Sequence, residues 1–162
     1  MFVEVIRHLY DYHFAENRSV WENHIVMLTQ EQFTQPVDYS LGSVRNQIVH
    51  MISVDDNWFS ELRGLDVPGM LNPEDFNDRR GIRTHWDKVE QNMRAYLSGL
   101  NDEALFEKPF GEGEDEDLTA WQALLHVANH GTDHRAQILR VLHDMGYKTT
   151  PQDYIFYVYD NP

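Results

Sequence analysis

The sequence predicts an all-α fold, a four-helix bundle with a short extra helix near its C-terminal end. Three observations predict it. Apolar residues recur every three or four positions in four long segments. Stretches carrying Pro, Gly or a helix-capping residue separate those segments. No segment shows the two-residue alternation of a half-buried strand.

In the first segment Tyr10, Phe14, Trp21, Ile25 and Leu28 keep helical spacing, and Leu9, His13, Val20, His24 and Met27 repeat it one residue earlier. Together they make a broad apolar face on one long helix. The stretch 34–42, with Pro36, ends it. Ser43 is a good N-cap for the second helix, whose stripe is Val44, Ile48, Met51, Trp58 and Leu62. Gly64 is placed to stop that helix. A long loop, 65–84, leads to a third helix expected to open at Thr84. Its stripe is Trp86, Val89, Met93, Leu97 and Leu100. The acidic run GEGEDED at 111–117 reads as a solvated turn. Thr119, with Gln122 three residues on, is a capping box for the fourth helix. Ala123, Val127, Ile138, Val141 and Met145 define its inner face, and Gly146 ends it. Thr150 and Pro151 suit the N-cap and first position of a last helix over 152–159. The long connections permit a crossover, so an up-down-up-down order is not forced.

A chain of 162 residues suits a single domain over 1–162 and can bury a core without staples. It has no Cys, which excludes disulfides, thiolate-bound metal and a Cys nucleophile. Its formal net charge of −14 opposes binding to nucleic acid and to anionic membranes. The opening MFVEVIRHLYDYHFAEN lacks a basic stretch followed by a continuous apolar run, so we expect a cytoplasmic protein.

The chemistry concentrates in the fourth helix. His126, His130 and His134 recur every fourth residue, and each such step turns about 40° around a helix. The three rings therefore form a slowly curving line that overlaps the apolar stripe. Imidazoles aimed into a core need partners. Two His at i and i+4 can share a metal ion, and a third ligand from another helix can complete an open site. Histidines hydrogen-bonded to carbonyls or water would satisfy the same pattern without metal.

A zinc-peptidase reading fails on the residues. Gly131 stands where H-E-x-x-H needs its Glu, and Asp133 is short for the Glu of H-x-x-E-H. His50 is the best partner from another helix, although it sits off the centre of its stripe, toward Asn46, Ser53 and Asn57. On pattern alone a surface role for His50 fits equally well.

The second helix, SVRNQIVHMISVDDNWFSELRG, resembles the matching segment of the DinB-like (YfiT-like) superfamily. It has a Gly-Ser opening, a His in its first half, a Trp eight residues later and a closing Gly. The fourth helix, LLHVANHGTDHRAQILRVLHDMG, is similar to that family's H-x-x-x-H-R-x-Q-I pattern, and the tail PQDYIFYVYD is similar too. The resemblance spans essentially the whole chain. It implies an up-down-down-up bundle, often dimeric, with a divalent metal on three His. Carried over by position, the ligands are His50, His130 and His134, with His126 a neighbour. Members often have Gly after the Arg of the HR pair; Ala136 here is a packing change.

Other residues have plainer readings. Asp133 and Arg135 read as a solvated charge pair, with orientation of an imidazole as the alternative. Gln137 lies one turn beyond His134, at the polar end of the core or near a metal-bound water. His13 and His24 read as boundary residues, and His8, His85 and His143 as surface. Trp21, Trp58, Trp86 and Trp121 read as core. Tyr154 and Tyr157 are candidates to close over the cleft.

Two functions follow. The first is a metal-dependent enzyme with an open three-His site. The resemblance implies a thiol S-transferase-like or hydrolase-like activity on a small-molecule thiol or other small substrate. The second is a non-catalytic metal-binding or stress-response module, favoured by the lack of a general base at motif spacing. Zinc or nickel are the expected metals, and iron, manganese and copper suit the same donors. The expected assembly is a homodimer.

Overall fold

The computed structural model describes residues 1–76 and 78–162. Its long helices are α1 (Phe2–Asn23), α3 (Val44–Leu62), α4 (Arg79–Gly99) and α5 (Ala120–Asp144), with short helices α2 (Gln30–Thr34) and α6 (Tyr154–Asp160). No strand occurs among the described residues.

Side-chain contacts give the direction of each long helix. Tyr10 and Asn17 of α1 bond to Leu124 and Arg135 of α5, so these two run parallel. Gln47 meets His134 and Trp58 meets His126, so α3 runs antiparallel to α5. Arg7 meets Leu97 while Trp21 meets Trp86, so α4 runs antiparallel to α1. The order is therefore up-down-down-up. The parallel pair α3 and α4 requires the long connection between them, because a short turn joins only antiparallel neighbours. The stripes meet along the axis: Ile48, Met51, Trp86, Val89, Met93, Val127, Ile138 and Val141 are all buried.

The expected ends hold at Ser43, which accepts the Asn46 N–H at 3.1 Å. They hold also at Gly64 and Gly146, whose φ values of 66° and 88° lie where a side chain would be strained. Gln122 accepts the Thr119 N–H at 2.9 Å, as a capping box requires.

Three boundaries differ from expectation. The first helix stops at Asn23 rather than running through Leu28. A 3₁₀ turn, Ile25–Met27, follows, and Thr29 then caps α2 with Gln32. Ile25 and Leu28 stay buried, which is why the periodicity ran on. Their carbonyls accept from Arg79 at 2.9 and 2.6 Å, replacing the helical bonds. The third long helix begins at Arg79, not Thr84. Asp78 caps it by accepting the Arg80 N–H at 3.0 Å, and the earlier start brings Arg79 to those carbonyls. The last helix begins at Tyr154. Thr150 cannot cap it, because its hydroxyl bonds to His24 Nε2 at 3.2 Å.

Two aromatic expectations also change. Trp121 is exposed, beside Phe2, Val5, Phe106 and Leu125, all exposed as well. Tyr154 and Tyr157 close over no cleft; they pack on His8 and Tyr12 of α1.

Candidate metal centre

His50 projects from α3 toward His130 and His134 on α5. One ring nitrogen from each lies within 4.8 Å of the other two, a grouping that could hold a metal ion. His50 Nε2 and His130 Nε2 stand 3.1 Å apart. Two nitrogens, each about 2.0–2.1 Å from one tetrahedral ion, would stand about 3.3 Å apart, so the pair fits. The off-centre position of His50 on its stripe is what brings it here, because α5 crosses that flank of α3. His126 lies outside the group. Its ring is 6.0 Å from that of His130 and packs against Trp58 at 5.1 Å.

The electrostatics keep the rings neutral. His130 is pushed down to about 3, first by burial and then by His134, His50, His126 and His13. Burial also lowers His50 and, with His50 nearby, His134; the Asp55 carboxylate opposes the shift at His50, and Asp133 and then Asp55 oppose it at His134. Neutral imidazole is the form that ligates a metal. His134 is oriented by Gln47, whose Oε1 lies 2.6 Å from Nδ1. His130 Nδ1 is buried without a hydrogen-bond partner among the described residues.

Behind the cluster lies a buried polar network that the sequence reading missed. Arg135, read as solvated, is fully buried. It donates to Gln152 Oε1 at 2.9 Å, Asn17 Oδ1 at 2.8 Å and Thr132 Oγ1 at 3.0 Å, and lies 3.3 Å from His13 Nδ1. His13, read as a boundary residue, is fully buried as well, and His24 is buried. His13 Nε2 lies 3.7 Å from Asp55 Oδ2, and Asp55 Oδ1 has no partner among the described residues. His8 and His85, read as surface, are half-buried, while His143 is exposed. Gln47 carried a legible signal, because it lies three residues before His50 on the same helix face. Arg135 carried none, since a charged residue beside a ligand usually points to solvent.

A helical bundle with an imidazole cluster between two antiparallel helices defines a structural class with a metal-site geometry. The DinB family model matches residues 1–161, and the chain belongs to the DinB family. It is similar to Protein DinB of Bacillus subtilis (strain 168), at 24% identity over 159 residues, which cover 93% of this chain and 92% of that protein. No helix among the described residues is long and apolar enough to cross a membrane.

Proposed function

We propose that this protein binds one divalent metal ion through His50, His130 and His134 and uses it as an enzyme on a small substrate. One observation carries the reading: three imidazole nitrogens converge within 4.8 Å, with His50 and His130 half-buried and His134 buried. His50 also lines a surface cavity of about 210 Å³ with Leu41, Asn46, Met70, Leu71 and Pro73. A substrate could reach the ion from that side, as an open site requires. An ion on three neutral ligands keeps its full charge and would acidify a water or thiol brought to it. Zinc or nickel suit the donors best. A thiol S-transferase activity agrees with a chain without Cys, because the substrate then supplies the sulfur.

The groups bonded to the three rings favour a second reading, a non-catalytic metal-binding module. They are Gln47 and the imidazoles themselves, so among the described residues no carboxylate or other base beyond the ligand set is bonded to the rings. Metal analysis of protein purified without an affinity tag, followed by a thiol-dependent conjugation screen, separates the two. Stoichiometric metal with turnover that is lost in His130→Ala supports the enzyme. Stoichiometric metal without turnover supports the module, and absence of metal refutes both.

We also propose a homodimer. Phe2, Val5, Phe106, Trp121 and Leu125 form an exposed apolar surface that suits burial against a second copy. Sedimentation should show a dimer that Trp121→Glu dissociates. A wild-type monomer at high concentration refutes it.

A further inference from the structure

We propose that Gln47 is a positioning residue that sets the tautomer of His134, and that the surface carboxylate of Asp133 dictates the direction in which Gln47 does so. The inference rests on the metal reading above for its purpose, though not for its geometry.

Four side chains form one chain of hydrogen bonds. His134 Nδ1 lies 2.6 Å from Gln47 Oε1. Gln47 Nε2 donates to Gln137 Oε1 at 3.1 Å, and Gln137 Nε2 donates to Asp133 Oδ2 at 2.8 Å. Ser40, which has a left-handed φ of 50°, donates its hydroxyl to the same Gln137 oxygen. Either amide could in principle be turned around, since its oxygen and nitrogen are nearly the same size. The far end of the chain decides.

An ionised carboxylate only accepts hydrogen bonds. Gln137 must therefore turn its NH₂ toward Asp133, which leaves its oxygen for Gln47. Gln47 must then turn its NH₂ toward Gln137, which leaves its oxygen for His134. His134 Nδ1 must donate and so carries the proton. The lone pair falls on Nε2, free for the ion. The reversed chain would put Gln137 Oε1 against a carboxylate oxygen and a proton on His134 Nε2, which would block ligation. Gln47 is almost wholly buried, so no water competes for its oxygen.

The chain explains Gln137 differently from a contact with a metal-bound water, because both ends of its amide are committed to Ser40, Gln47 and Asp133. It also gives Asp133 the orienting role that spacing alone left as the alternative.

The test reads the tautomer directly. Long-range nitrogen–proton NMR of the metal-free protein should show His134 as the Nδ1–H form. Gln47→Leu should remove that preference and weaken zinc binding 10–100-fold in competition with a chromophoric chelator. Gln47→Glu still accepts at Nδ1 but sets its second oxygen against Gln137 Oε1, so it should recover most of the zinc affinity lost in Gln47→Leu. A merely structural Gln47 would give no such rescue. Asp133→Asn lies on the surface and leaves the fold intact. It should mix the two tautomers, and it keeps the test open if Gln47→Leu does not fold. An Nε2–H form in the wild type overturns the proposal. So does zinc affinity within twofold of wild type in Gln47→Leu. If the wild type binds neither zinc nor nickel, the metal reading fails, and the NMR result still decides for or against the chain.

Discussion

Gly131 of α5 lies so close to His13 of α1 that a β-carbon on residue 131 would stand 2.3 Å from His13 Cε1 and 2.8 Å from Nδ1. The missing side chain makes room for a buried imidazole that also contacts Asn17 and Arg135. The position that excluded a zinc peptidase is therefore a packing requirement. Gly131→Ala should destabilise the protein by about 1–3 kcal/mol, the usual cost of overpacking a core. Chemical denaturation checks it. His13→Ser should recover part of the loss in the Gly131→Ala background, and strictly additive effects would rule out the contact as the cause.

The metal reading makes an asymmetric prediction. His130→Ala and His134→Ala should each abolish stoichiometric binding, and His50→Ala should weaken it strongly. His126→Ala should leave it largely intact, because His126 stands outside the cluster. Bound metal should also raise the melting temperature, since it ties α3 to α5 and binds only the folded arrangement. Free metal at a thousand times its dissociation constant would add about 4 kcal/mol. Loss of metal in His126→Ala but not in His50→Ala would overturn the ligand set.

The metal-free protein should lose stability in acid. His130 is lowered to about 3 in the fold, chiefly by burial, and His50, His134 and His13 are lowered as well. An unfolded His titrates near 6.5. Between those values the unfolded chain binds protons that the fold refuses, so stability rises with pH. The contribution is complete above about 6.5 and falls as pH drops toward about 3. Urea denaturation across that range reads it, and His130→Gln should flatten the slope. A stability independent of pH between 4 and 7 would contradict the buried neutral cluster.

Arg135→Met should cost on the order of 3 kcal/mol, because it leaves the buried Asn17 acceptor and the half-buried Gln152 and Thr132 acceptors without their donor. Arg135→Lys should recover little of this, as an ammonium cannot span three directions as a guanidinium does. The loss should also free the segment around Gln152, seen as faster amide exchange in α6. Unchanged exchange there would show that the other contacts of the segment hold it, among them the Tyr12 hydroxyl, which donates to the Gln152 carbonyl at 2.5 Å.

The helices themselves and the histidine line were legible in the sequence. Spacing alone identified the stripes of Val44 to Leu62 and of Trp86 to Leu97, because burial of an apolar face repeats with the helical turn. Local caps at Ser43 and Thr119 were equally legible, since each acts within three residues of itself. The start at Thr84 failed because Asp78 caps the helix one turn and more earlier, and the start at Thr150 failed because another element claims its hydroxyl. Arg79 serves carbonyls of residues 25 and 28, and Thr150 serves His24.

By itself the sequence determined the fold class and the i,i+4 pair of His130 and His134, and through resemblance it pointed to His50 as their partner. Only the tertiary structure decided what lies against those rings. A hydrogen bond between His134 and Gln47 joins residues 87 positions apart, and the network of His13, Asp55 and Arg135 joins three helices. Periodicity reports which face of a helix is buried. It cannot report which polar group waits on the facing helix, because that depends on the order and direction in which the helices pack.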